Sequence, residues 1–114
     1  APKVFLIIKT LAKGYPIVSS MGAGGKLDPS QVMVTDISKS YNCRLAHSLR
    51  KKLHRLDIHK GFKVVFSPEN VSKDSVKLID NERNKRSTVG TISYMPPLFG
   101  CMIASVVIRE LVGL

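Results

Sequence analysis

The chain contains no tryptophan, only two cysteines and only eight acidic residues among its 114. Cys43 and Cys101 form no Cys-x-x-Cys pair, which excludes a zinc ribbon and a thioredoxin-type redox motif. Two thiols are also too few for a miniprotein built on disulfides, and such sparing use of cysteine points to the cytoplasm. Long apolar runs are missing as well. The longest, Leu98 to Ile108, falls well short of the ~20 residues of a membrane span, so no membrane partner is expected. The carboxylates are scattered and offer no general acid–base pair. His47, His54 and His59 lack metal-ligand spacing, His47 and His54 lying two helical turns apart. Aromatic residues amount to 6%, which leaves few platforms for stacking bases.

What the chain does have is apolar substance and positive charge. Hydrophobic residues make up 44%, enough for a real core, and the length suits one domain. Eighteen lysines and arginines give a formal net charge of +10. An excess of that size favours a polyanionic partner.

The order of elements follows from patterning. Pro2 to Gly14 predicts an apolar helix, with proline in its first turn and glycine at its end. A helix so apolar needs cover on most of its circumference, and a missing preceding part is the expected source of that cover. Tyr15 to Ser20 and Gln31 to Ile37 read as short strands, joined by a link too short for a helical crossover, so the second should run antiparallel to the first. Cys43 to Leu56 predicts a helix with Leu45, Leu49, Leu53 and Leu56 on one apolar stripe. Lys63 to Ser67 is a third strand. The stretch from Asp80 to Ser87 reads as a charged, mobile loop, and an apolar helix runs from about Leu98 to Leu111, ending near Gly113. Cys101, within that helix, reads as a buried inert thiol; Cys43, beside Arg44 at a helix start, has the more reactive setting but no partner base.

Two features invite a chemical reading. Gly22-Ala23-Gly24-Gly25-Lys26 has the look of a phosphate cradle, but Leu27 stands where a dinucleotide fingerprint needs glycine and a P-loop needs serine or threonine. A strand follows it, whereas either motif opens a helix. What remains is a loop at the carboxyl end of a strand, where open α/β sheets hold ligands, with Gly24 and Lys26 as candidate pocket-lining residues. The second feature is cationic. Lys39, Arg44, Arg50, Lys51, Arg55 and Lys60 cluster on and around the middle helix, with Asp57 the only acid between Lys39 and Lys63. Cations at this density track a phosphate backbone or solvate an outer face; with only Tyr41 and Phe62 near for stacking, any nucleic acid would be read by backbone and shape.

Three phrases carry a family resemblance: Val18-Ser19-Ser20-Met21-Gly22-Ala23-Gly24-Gly25-Lys26-Leu27-Asp28-Pro29, Val34-Thr35-Asp36-Ile37-Ser38-Lys39-Ser40 and Gly90-Thr91-Ile92-Ser93-Tyr94-Met95-Pro96. In order and over the whole chain, the sequence resembles the ThiF/MoeB/HesA superfamily of ubiquitin-activating-like enzymes, in the tRNA threonylcarbamoyladenosine dehydratase branch, and only its carboxyl-terminal half. The resemblance implies an α/β fold, the carboxyl-terminal part of a Rossmann-like adenylating-enzyme fold, with a mixed sheet and flanking helices. Residues 1–114 would form a single fragment without the nucleotide-binding half. It implies an ATP- and Mg2+-dependent enzyme that adenylates the carboxylate of threonylcarbamoyladenosine in tRNA and cyclises it, acting as a cytoplasmic homodimer. ATP and Mg2+ would sit in the other half, leaving fold, dimer and tRNA contact to this one, alone inactive and binding neither. Some relatives carry a cysteine before the last helix; Lys85-Arg86-Ser87 stands there in this sequence, and Arg83, Lys85 and Arg86 would belong to a mobile substrate loop. A non-catalytic basic RNA-binding or scaffold module is the alternative reading.

Overall fold

The computed structural model describes residues 2–71 and 90–114. Along the chain lie α1 (Pro2–Ala12), β1 (Val18–Ser20), a 3-10 turn (Pro29–Gln31), β2 (Met33–Asp36), a second 3-10 turn (Ile37–Lys39), α2 (Arg44–His54), β3 (Lys63–Phe66) and α3 (Met95–Val112). The predicted loop around Arg83, Lys85 and Arg86 lies outside the described residues.

β3, the last of the described strands in sequence, is the middle one in space, giving the order β1-β3-β2. Parallel pairing sets Val18 opposite Lys63 and Ser20 opposite Val65, while antiparallel pairing sets Met33 opposite Phe66 and Asp36 opposite Lys63. β1 and β2 therefore run in opposite directions, as the short link between them requires, but β3 separates them. The sheet is mixed and flanked by helices, which is the architecture the resemblance implies.

The period-2 geometry of β3 builds two cores from three adjacent residues. Val64 and Phe66 face α1 and α2, where they pack with Ile7, Ile37, Ala46, Leu49, Leu53 and Phe62. Val65 faces the other way, onto Met95 and Phe99 of α3. All three β3 residues are fully buried, which accounts for an apolar run without alternation in a strand covered on both faces. Phe62 belongs to this core and stacks no base; Tyr41 leans edge-on against Phe66, the ring centroids 5.7 Å apart.

The helices depart from the sequence reading in four ways. In α2 the buried stripe is Ala46, Leu49 and Leu53, whereas Leu45 and Leu56 are 42% and 54% exposed. Leucines spaced by four drift around a helix with 3.6 residues per turn, and Ala46, fully buried, shares the inward face with Leu49 and Leu53. α3 begins at Met95, earlier than Leu98, because its first-turn amides need no helical partner and tolerate Pro96 and Pro97. Its 18 residues have a mean hydropathy of 1.5, so by length and composition it could cross a membrane, contrary to the shorter run read from sequence. Its first turns pack on the sheet through Met95, Leu98, Phe99, Met102 and Ile103. Cys101 points away from that face and is exposed, while Cys43 is the buried thiol. Gly113 ends the helix at φ 75°, and Lys63 Nζ of β3 reaches across to Glu110 Oε1 of α3 at 2.8 Å.

Candidate nucleic-acid interface

The glycine-rich loop leaves the carboxyl end of β1, and its amides from Gly25 to Asp28 have protein acceptors. Gly25 N–H donates to the Gly90 carbonyl at 2.8 Å and Lys26 N–H to the Ala23 carbonyl at 3.2 Å. Leu27 N–H donates to Glu69 Oε1 at 3.0 Å and Asp28 N–H to Glu69 Oε2 at 3.0 Å. The place a phosphate would take in a cradle is held by the carboxylate of Glu69, further fixed by Ser67 Oγ at 3.0 Å. These residues do not fit the phosphates of a nucleotide.

Lys26 is a tie and not a pocket wall. Its side chain is 1% exposed, and its ammonium donates to the carbonyls of Asn42 (2.7 Å) and Glu69. Burial lowers its pKa, with the charges of Cys43 and Glu69 opposing that shift. One buried ammonium thus joins the glycine loop, the entrance of α2 and the exit of β3. Asn42, at φ 55°, adds a second link by donating Nδ2–H to the Pro68 carbonyl at 2.8 Å. Tyr94 Oη completes the knot by donating to the Leu27 carbonyl at 2.6 Å. Sequence reading missed Glu69 because the amides it accepts from lie more than 40 residues away; no local spacing marks them.

The cationic residues sort into two groups. Arg50 is half-buried and its guanidinium donates to both the carbonyl (2.8 Å) and the hydroxyl of Ser40, so it fastens α2 to the preceding 3-10 turn. This removes Arg50 from the predicted phosphate set. Lys39, Arg44, Lys51, Arg55 and Lys60 are all exposed. Arg44, Lys51 and Arg55 recur at seven and four residues, a stripe opposite the buried Ala46, Leu49 and Leu53 that spans about 16 Å at 1.5 Å per residue. Lys51, Lys52 and His54 in the last turn complement the helix dipole, whereas Arg44 stands in the first turn, where the dipole disfavours a cation. α2 carries no acid in its first turn and no side-chain cap at Cys43. Its sequence favours positive charge over helix stability.

Asp36 braces the near side of this surface. Its carboxylate accepts from Ser38 N–H and Gly61 N–H, both at 3.0 Å. Partial burial would raise its pKa, but those two hydrogen bonds and the charge of Lys39 outweigh it and hold the carboxyl below its usual value. Gly61 sits at φ 123°, a backbone that side chains resist, so glycine lets the chain present its amide there.

No family model matches the chain. It is 30% identical over 116 residues to the tRNA threonylcarbamoyladenosine dehydratase of Bacillus subtilis, covering 96% of this chain and 46% of that protein. The crystal structure of Escherichia coli tRNA N6-threonylcarbamoyladenosine dehydratase in complex with AMP matches with a TM-score of 0.81 and 27% identity, over 98% of this chain and 44% of that one. The same enzyme in complex with ATP matches with a TM-score of 0.79, 28% identity and the same coverage. The fold is thus that of the ThiF/MoeB/HesA superfamily. The chain is similar to the carboxyl-terminal portion of the tRNA threonylcarbamoyladenosine dehydratases. It spans a little under half the length of these relatives.

Proposed function

We propose that these residues form the carboxyl-terminal part of an ATP-dependent enzyme that closes threonylcarbamoyladenosine in tRNA into a cyclic product, and that α2 presents the tRNA-binding surface. The supporting observation is the exposed stripe Arg44, Lys51 and Arg55, flanked by Lys39 and Lys60, on a chain similar to enzymes named for this tRNA modification. Exposed cations along one helix face neutralise phosphates and release counterions, which positions a nucleic acid without reading its sequence. Because the glycine loop is closed on Glu69, ATP and Mg2+ are assigned to residues beyond these 114. The same reading makes the protein cytoplasmic and a homodimer, its activity requiring the nucleotide-binding half.

The test is tRNA binding by this chain across a salt series, for the parent and for a variant carrying Arg44→Ala, Lys51→Ala and Arg55→Ala. The variant should bind several-fold more weakly at low salt, with a salt slope shallower by about one unit per phosphate contact removed. Unchanged affinity and slope would overturn the assignment of α2.

A further inference from the structure

Tyr41 is an exposed ring on a fixed stem. It stands two residues after Lys39 and three before Arg44, both exposed cations of the surface described above. The residue is 52% exposed, whereas Phe66, against which it leans, is fully buried. Both of its neighbours in the chain are tied down. Ser40 donates its hydroxyl to the Ile37 carbonyl at 2.7 Å, and its own carbonyl accepts from Arg50 at 2.8 Å. Asn42 donates to the Pro68 carbonyl at 2.8 Å, and its own carbonyl accepts from the Lys26 ammonium at 2.7 Å. The left-handed backbone of Asn42, at φ 55°, sets the direction in which the chain leaves. Lys26 and Arg50 thus hold the peptide that carries the ring. A side chain on such a stem needs little further ordering when a ligand binds.

We infer that Tyr41 is a stacking platform for an unpaired base of the RNA, an inference that rests on the tRNA reading of α2 proposed above. Every base has a π face, so an aromatic ring accepts any of the four without reading sequence. In an A-form duplex those faces are already stacked on one another, and only an unpaired nucleotide offers one to a side chain. Phe66 meets Tyr41 at 66° rather than flat, so the buried ring steadies the exposed one without stacking on it. Lys39 and Arg44 lie at most about 7 and 11 Å away by chain reach, close enough to meet the phosphates on either side of a stacked base. Of the three tyrosines, only Tyr41 adjoins α2 in the chain. The cations position the backbone; the ring selects a nucleotide that is out of its helix.

The probes are a short single-stranded RNA of mixed sequence and the duplex it forms with its complement. Tyr41→Ala and Tyr41→Leu should each bind the single strand about tenfold more weakly than the parent, with duplex affinity and salt slope unchanged. Tyr41→Phe should bind as the parent does. Leucine keeps an apolar cover over Phe66 but has no π face, so single-strand affinity of Tyr41→Leu equal to the parent's would make the ring mere cover and overturn the inference. The chain has no tryptophan, so Tyr41→Trp adds a single reporter, whose emission should be quenched by the single strand and not by the duplex. Equal losses on both RNAs, or none on either, overturn the inference. Failure of the α2 reading shows elsewhere, as a salt slope that Arg44→Ala, Lys51→Ala and Arg55→Ala together leave unchanged. Failure of the platform alone leaves that change of slope intact and removes the strand-dependent loss.

Discussion

The two cysteines exchange the places their neighbourhoods suggest. Cys101 lies in an apolar helix but on its outer side, whereas Cys43, among polar neighbours at the start of α2, turns inward. Native protein should therefore give one fast thiol with a water-soluble maleimide, mapped by mass spectrometry to Cys101, and a second only after denaturation. Rapid labelling of Cys43 without denaturant would contradict its packing beside Gly22, where a Cβ on the glycine would come within 3.9 Å of the sulfur. Lys26 teaches the same lesson about charge. Next to three glycines it has the outward marks of a phosphate ligand, yet its ammonium is buried against two carbonyls. Which way a single side chain points was not legible, because that depends on partners supplied by distant parts of the chain.

Among the helices, α2 shows what periodicity can and cannot establish. Its existence and cationic character follow from the sequence, as does burial of Leu49 and Leu53; the membership of Leu45 and Leu56 does not, because a stripe of leucines and a buried face coincide only where the neighbouring element runs parallel to the stripe. Leu49, 3% exposed between α1 and β3, should cost about 2–5 kcal/mol when truncated to alanine. Leu45→Ala should cost less than about 1 kcal/mol, since that side chain is already partly in water. Urea unfolding of the two variants checks the ranking, and equal losses would mean that the helix is rotated from its described position. Arg50 was legible as a cation and illegible as a fastener, since its Ser40 partner sits ten residues back, beyond one helical repeat.

For the molecule as a whole, charge imbalance sets the response to acid. Eighteen cations face only eight carboxylates, and two of those carboxylates brace 3-10 turns. Hydrogen bonds from the Ser30 hydroxyl, the Gln31 amide and the Ser30 backbone hold Asp28 below its ordinary value, as those around Asp36 do there. A carboxyl more acidic in the folded than in the unfolded state contributes stability above the unfolded pKa, near 3.8, and loses it as pH falls through the lowered folded value. Stability measured by denaturant should thus decline below about pH 4, and Asp36→Asn should flatten part of that decline while lowering stability at neutral pH. Added salt should soften the acid transition by screening the rising net charge. A neutral-pH stability of Asp36→Asn equal to the parent's would show the bracing to be inconsequential. The mixed sheet and its covering helices were legible at this scale, through strand spacing and the family resemblance. The position of β3 between its elders was not, because pairing order is a matter of which edge each strand finds.

That central position has a bearing on synthesis. Emerging from a ribosome, β1 and β2 cannot pair with β3, their shared neighbour among the described strands, until Phe66 has cleared the exit tunnel; Val64 and Phe66 then close the core under α1 and α2, while Val65 waits for Met95 and Phe99. The nascent domain should gain protease resistance in two steps, the first when β3 is released and the second when α3 follows.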